Sequence, residues 1–410
     1  MSAVASALDR QQNLRVRYGA LLFALALFGY PIVGNLVSLL NIESRSLSVP
    51  FRLFVGSMSL FIFATMGRMW LDNWRLLILV IWCALILRLS FDTLVTDIDG
   101  ADYALGFFII GSVLPVLALW KLDAYDQKRF ALAGLIATSI GSLMSLSANY
   151  LGAFGESDLT ELTGRLSNVS LNPVSLGHLA VSGFFCGLVL MRETTLWRRI
   201  TIAVVMVGLI FVVVQTGSKG PVLSLAIALL MWSVRRGIAG RIIVLAASVV
   251  TVFVLYGNNP FFERLMSINE DPSTFDRIVL IQDSLQQILS SPWFGSASVE
   301  LNTGYYPHNI LLEAAMSFGL PLTTVLVVVL ARGLIISWRL LDKTYDLIPL
   351  LYIQALVISQ VSGALFADSM LWVCLIVLFG SKWPVEKNAN SFYRTPVGTV
   401  NMPETCKKNF

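Results

Sequence analysis

The feature that most constrains this chain is the recurrence of apolar stretches, commonly 15 to 22 residues long and parted by short charged turns. A helix rising about 1.5 Å per residue crosses a hydrocarbon core of about 30 Å in such a length. A membrane barrel would alternate with period two, and these stretches do not. With 56% hydrophobic and 13% charged residues and a mean hydropathy of +0.75, the 410-residue chain carries too little charge to cover a water-soluble globule of its size. The fold class is an all-α polytopic membrane protein. About twelve transmembrane helices are expected, at roughly 18 to 40, 51 to 67, 74 to 91, 103 to 120, 130 to 151, 174 to 191, 200 to 215, 218 to 234, 242 to 256, 318 to 338, 347 to 366 and 369 to 383.

Charge orients these spans, because cytoplasmic loops collect Lys and Arg. With the N terminus cytoplasmic, 22 of the 29 Lys and Arg residues fall inside, whereas 16 of the 25 acidic residues fall outside. Both termini are expected to be cytoplasmic. The first span follows a soluble basic stretch without a small-residue cleavage site, so it reads as a retained helix. Cys83, Cys186 and Cys374 lie in spans and Cys406 in the tail, a distribution that suggests neither a disulfide nor a zinc site. The pI near 8.9 follows from the inner-face bias and implies no nucleic-acid partner.

Three outer segments are longer than the other connections. Residues 92 to 102 hold Asp92, Asp97, Asp99 and Asp102 and read as a solvated acidic loop. Residues 152 to 173 include Gly164, Arg165, Asn172 and Pro173. The largest, 257 to 307, contains a helical pattern opened by Ser273 and Asp276 and stopped by Pro292. Ile278, Ile281, Leu285, Ile288 and Leu289 recur at helical spacing, with Gln282, Asp283, Gln286 and Gln287 turned elsewhere, which suits a helix lying along the membrane surface. The tail beyond Trp383 lacks periodicity and is expected to be disordered.

Seven cations remain outside, and four of them, Arg165, Lys219, Arg264 and Arg277, lie in unusual settings. Lys219 belongs to the turn Thr216, Gly217, Ser218, Lys219, Gly220, Pro221, where glycines permit close approach by a ligand. A cation kept beside apolar spans suggests an anionic partner, although a lysine also snorkels to the surface with no partner at all. Three guanidinium forks and one ammonium suit a diphosphate. Downstream comes Tyr305, Tyr306, Pro307, His308, Asn309, with one of only two histidines in the chain. If Pro307 opens the next helix, the positive end of that helix keeps the His308 imidazole neutral and able to take a proton. The competing role is a helix cap at the membrane surface. Asn309 and Glu313, four apart, share a helix face from which they are expected to orient the acceptor or each other, and Glu313 is the alternative base. Tyr305 and Tyr306 suit stacking on sugar rings or anchoring at the interface. His178, the other histidine, reads as a polar residue facing the bundle. No His, Asp and Glu set has metal-ligand spacing.

The succession Gly217, Ser218, Lys219, Gly220, then Arg264, Arg277 with Ile278, then Ser291, Pro292, Trp293, Phe294, Gly295, then His308, Asn309, Glu313 and Gly319 resembles the O-antigen ligase and polysaccharide polymerase superfamily over residues 205 to 335 or so. Gly164, Arg165 and Asn172, Pro173 resemble its earlier outer-loop elements less distinctly. The resemblance implies a membrane glycosyltransferase of the bacterial inner membrane, working at the periplasmic face without cofactor, metal or nucleotide sugar. It implies an undecaprenyl-diphosphate-linked glycan as donor, with a lipid A core or a second lipid-linked repeat as acceptor. Arg264 and Arg277 match the family's diphosphate-binding arginines, and His308 matches the histidine assigned to acceptor activation. Relatives usually carry Arg where this chain has Lys219, so a bidentate contact is not expected there.

The implied organisation is a cytoplasmic segment at 1–17, transmembrane helices one to nine at 18–256, a periplasmic catalytic loop with its amphipathic helix at 257–317, helices ten to twelve at 318–383 and a cytoplasmic tail at 384–410. Ligase and polymerase remain alternatives, with a slight lean to polymerase from the Lys219 departure. A transporter of a small anion or lipid-linked glycan is the rival class. Against it stand the absence of an internal repeat and of charged pairs at mid-membrane, and the ordered motif residues of the large loop.

Overall fold

The computed structural model describes residues 2–65, 71–120, 126–150, 166, 171–255, 272–341 and 346–380, and for 2–15, 148–150, 193, 239, 243–255 and 272–276 the backbone only. Arg165 and Arg264 lie outside the described residues, as does the tail expected to be disordered. The described chain is helical throughout: α1 Ser2–Leu40, α2 Ser44–Thr65, α3 Asn73–Leu94, α4 Ala101–Trp120, α5 Gln127–Tyr150, α6 Pro173–Leu190, α7 Leu196–Gln215, α8 Lys219–Leu255, α9 Pro272–Ser290, α10 Ile310–Leu340, α11 Leu347–Ser359 and α12 Ser369–Gly380. Nine of these contain a stretch long and apolar enough to cross a membrane, and α11 and α12 are shorter apolar helices. The chain is a polytopic helical membrane protein. The eighth and ninth expected spans form one helix, α8, broken at Gly237 (φ 66°, ψ −145°).

Local chemistry sets the helix starts. Asp72 accepts from the amides of Trp74 and Arg75 at 2.9 Å, and Asn172 accepts from Ser175 at 2.7 Å ahead of Pro173. Each satisfies amides that have no partner inside the helix. Between spans, small residues allow close approach. A Cβ on Gly183 of α6 would lie 2.3 Å from Thr138 Oγ1 of α5, and Asn35 of α1 donates to the Gly141 carbonyl at 2.9 Å. The helices α11 and α12 are apolar on all sides and almost wholly buried, so they form the centre of the bundle.

Four local expectations are corrected. The acidic loop is not solvated at its first member, because α3 continues to Leu94 and buries Asp92 completely. Pro307 does not open a helix; His308 and Asn309 stand between it and Ile310, and Asn309 is the cap. That cap starts α10 at Ile310, ahead of the span expected from 318, and a break at Gly319 (φ 79°, ψ 173°) marks where the expected span begins. In α9, Ile278, Ile281, Leu285 and Leu289 share an exposed face, but Ile288 turns inward with Leu280, Ser284 and Gln287 and packs on Ala315 and Met316.

Candidate active site

The site is built on the segment between α9 and α10, which folds back as a compact cap on the broken start of α10. Gly295 (φ 69°) and Gly319 face each other's backbone: a Cβ on either would lie 2.3 Å from a carbonyl oxygen of the other segment, Met316 or Trp293. Two hydrogen bonds lock the contact, Ser296 N–H to Met316 O at 2.7 Å and Leu320 N–H to Pro292 O at 2.8 Å. The run Ser291 to Gly295 and the distant Gly319 are therefore two halves of one joint, while Trp293 and Phe294 project from it, exposed. The joint is held to α3 by Asp92, whose Oδ2 accepts from Ser298 N–H at 2.9 Å and whose Oδ1 pairs with Arg88 at 2.6 Å. Arg88 also donates to the Ser296 carbonyl.

Beyond the joint, buried Glu300 accepts from the amides of Asn302 and Thr303 and from the Thr303 hydroxyl, closing a tight turn. Gln287 of α9 fixes both sides of it, donating to Val299 O at 3.1 Å and accepting from Leu301 N–H at 3.0 Å. The chain leaves this turn as the Tyr305 to Asn309 knot. Tyr305 is exposed; Tyr306 is partly buried, with its ring 4.9 Å from that of Phe366. Burial, then the fields of Glu313, Tyr103 and Asp92, raise the Tyr306 phenol above its usual range.

His308 follows with φ 55°, left-handed backbone that residues other than glycine rarely adopt and that recurs at functional sites. Its side chain is open to solvent on one side. Desolvation by the protein behind the ring, then the positive field of Arg277 on α9, lower its basicity below the ordinary imidazole value. One expected arginine therefore acts on the histidine through its field. Arg277 is itself exposed.

Asn309 is committed to structure. Its Oδ1 caps α10 by accepting from Leu311 and Leu312 N–H at 3.0 and 3.1 Å, and its Nδ2 donates to Gln360 O at 3.0 Å. Glu313, one turn later, is 1% exposed and accepts from Leu365 N–H at 2.8 Å. Both therefore hold the connection between α11 and α12, residues 360 to 368, which sequence reasoning did not single out. That connection has no periodicity, and its contacts reach about fifty positions back along the chain.

Lys219 is the first residue of α8, half-buried, in a turn with Gly217 at φ 56°. Of the two glycines in this turn, Gly220 packs against protein: a Cβ there would lie 2.7 Å from Ile358. Leu166 N–H donates to Gln215 O at 2.9 Å, so Leu166 is tied to the residue just before the Lys219 turn. Among the described residues, no three of His, Cys, Asp or Glu are grouped to hold a metal ion.

A search of curated proteins finds no match to this chain. Residues 202–327 match the family model described as O-antigen ligase. The match runs from α7 into α10 and takes in Lys219, Arg264, Arg277, His308 and Glu313, leaving Arg165 upstream. Together with the all-helical membrane architecture and the motif order, the match supports a likeness of this region to the O-antigen ligase family.

Proposed function

We infer that this protein transfers a glycan from a polyprenyl diphosphate, undecaprenyl diphosphate in bacteria, to a sugar hydroxyl at the periplasmic face of the inner membrane. The observation that carries this reading is His308: solvent-open, held in left-handed backbone, and below its ordinary basicity through burial and the field of Arg277. A neutral imidazole near a guanidinium supplies a proton acceptor next to an anion site. In the reaction, the acceptor O–H gives its proton to His308 as its oxygen bonds to the anomeric carbon. The bond from that carbon to the diphosphate breaks, and the diphosphate leaves with the electron pair. Direct displacement inverts the anomeric configuration. Arg165, Arg264 and Arg277, with a single charge contact from Lys219, stabilise the departing diphosphate. Positioning of a donor that already carries a good leaving group supplies much of the rest.

Glu313 is assigned a positioning role in place of the base role considered above, because its buried carboxylate is already engaged by Leu365 N–H. Tyr305, exposed beside His308, is the residue best disposed to meet an acceptor sugar. The acceptor is a second lipid-linked repeat, as in a polymerase, or the outer sugar of a lipid A core, as in a ligase. A deletion strain separates these: single-repeat surface glycan marks a polymerase, and accumulated lipid-linked polymer marks a ligase.

The reaction is tested with purified protein, lipid-linked donor and EDTA in detergent. His308→Ala is expected to lower turnover about 10²–10⁴-fold with thermal stability unchanged. Full turnover in that variant would remove His308 as the base, and strict dependence on an added divalent ion would remove the cation-only mechanism.

A further inference from the structure

A cavity of about 330 Å³ lies among α1, α2, α4, α6 and the α11–α12 connection, and no step of the reaction above uses it. Its volume is at the low end of the roughly 300–1,000 Å³ usual for small-molecule sites. Tyr30, Tyr103 and Phe107 form aromatic walls, and the Arg52 guanidinium stands 5.0, 5.4 and 4.7 Å from their ring centroids. Arg52 donates to the Tyr103 hydroxyl at 3.0 Å and pairs with no carboxylate among the described residues, which leaves most of its five N–H groups for another acceptor.

Two further groups face the cavity with defined hydrogen-bonding roles. Gln354 Nε2 lies 2.8 Å from the His178 carbonyl oxygen, so that atom must be the amide nitrogen. The same nitrogen lies 2.8 Å from His178 Nδ1, which must then accept. The ring proton is thereby placed on Nε2, and His178 presents a neutral donor. Opposite in character is Asp368: Ser359 Oγ donates to its Oδ2, and Oδ1 has no protein donor among the described residues. A π-helical turn at Phe108–Val113 fits α4 to this wall, with Ser369 Oγ donating to the Gly111 carbonyl at 3.0 Å. Such turns interrupt helices mostly at functional sites.

An anion would meet the Asp368 carboxylate, and an apolar guest would leave Asp368 Oδ1 and His178 Nε2–H unpaired. A ring bearing several hydroxyls answers both, donating to Asp368 while accepting from His178 and Arg52, with its C–H face on the aromatic walls. The cavity also adjoins the catalytic knot. Phe366 of the α11–α12 connection contacts Phe107 on the cavity side (centroids 5.9 Å) and Tyr306 on the His308 side (4.9 Å). We propose that this cavity is a pyranose subsite that holds one sugar ring of the glycan a short distance from His308. The proposal rests on the glycosyl-transfer reading only for the source of the sugar.

The test uses the full chain in detergent, with saturation-transfer NMR against methyl pyranosides of glucose, galactose, mannose, rhamnose and N-acetylglucosamine. At least one is expected to bind, with affinity lowered about ten-fold or more by Asp368→Asn and unchanged by His308→Ala. Ser175→Trp fills the cavity from an exposed position in the first turn of α6 and is expected to abolish binding, independently of the Asp368 contact to Ser359. Absence of binding by every pyranoside, or binding untouched in a Ser175→Trp protein that keeps wild-type thermal stability, overturns the subsite. Transfer assays on the same preparations separate the two readings. Sugar bound without transfer from lipid-linked donor defeats the glycosyl-transfer reading alone, and wild-type transfer by Ser175→Trp defeats the subsite alone.

Discussion

The two ends of the helical bundle treat charge in opposite ways. At the end where α6 finishes and α11 begins, Asp346 is fully buried and saturated: Arg192 grips both carboxylate oxygens, Arg236 Nη2 reaches Oδ2 at 3.2 Å, and Trp232 Nε1 donates at 2.8 Å. The fork from Arg192 ties α6 to α11, and Trp232 and Arg236 add α8, with nothing left for a ligand. Among the described residues the opposite end has one comparable lock, Arg88 with Asp92, and around it the chain leaves groups open: His308 to solvent, and Arg52, His178 and Asp368 to a cavity. Saturated charge marks where the fold is fastened, and unsatisfied polarity marks where it is built to receive something.

The strongest way to break this contrast is to remove the carboxylate of each lock. Asp92→Ala strands a guanidinium that is 14% exposed, frees Ser298 N–H and releases the joint that carries the His308 segment. It is expected to cost about 3–5 kcal/mol and to reduce transfer in the protein that remains folded. Asp346→Ala leaves guanidinium groups about a quarter exposed, so its cost falls near the lower limit of about 3 kcal/mol, and transfer per folded molecule should stay at the wild-type level. Thermal unfolding in detergent and specific activity, read together, check both. Equal activity losses would mean that the two ends do not divide structure from function.

A smaller effect separates the two helix breaks. Gly319 and Gly237 both adopt positive φ, but a Cβ on Gly319 meets the Trp293 carbonyl group at 2.3–2.4 Å, whereas a Cβ on Gly237 meets nothing within 4 Å. Gly237→Ala is expected to cost only the backbone strain, about 1–2 kcal/mol. Gly319→Ala adds an overlap with backbone that cannot yield, so a total of about 2–3 kcal/mol or more is expected, with displacement of the cap that presents His308. Differential scanning of the two variants should therefore rank Gly319→Ala as the less stable.

The sequence made the spans legible because a twenty-residue apolar run has few alternatives, and it marked His308 because a polar and aromatic knot interrupts such runs. It hid what depends on contacts between distant segments. Asp92 looked solvated because its neighbours Asp97, Asp99 and Asp102 are loop residues; Arg88, one helical turn earlier, was a local hint, but nothing local reveals Ser298 as its partner. Ile288 matched the outward face of α9 by period, but Ala315 and Met316 draw it inward. Arg52 counted only as one more outer cation, although Pro50 and Phe51 beside it within a span were a local hint. Asp368, between two apolar helices, was a second hint. The π-helical turn of α4 and the left-handed backbone of His308 leave no mark in hydropathy, since each is imposed by the segment packed against it.

The finest test of the open end is the pH dependence of transfer. His308 must be neutral to accept a proton, so kcat/KM falls as pH drops through its pKa. Burial and Arg277 lower that pKa, which puts the acid limb below the usual imidazole value of about 6.5. Removing the guanidinium removes a like charge that opposes imidazolium, so Arg277→Ala should move the limb to higher pH. Arg277 is exposed and therefore screened, and the expected movement is less than about one pH unit. Arg277→Lys keeps the charge and should hold the limb in place while weakening donor binding through loss of the fork. Added salt should shift the wild-type limb in the same direction as Arg277→Ala and leave that variant almost still. If the limb ignores both the substitution and salt, the proton acceptor is a group that Arg277 does not reach, and the pairing of these two residues is structural.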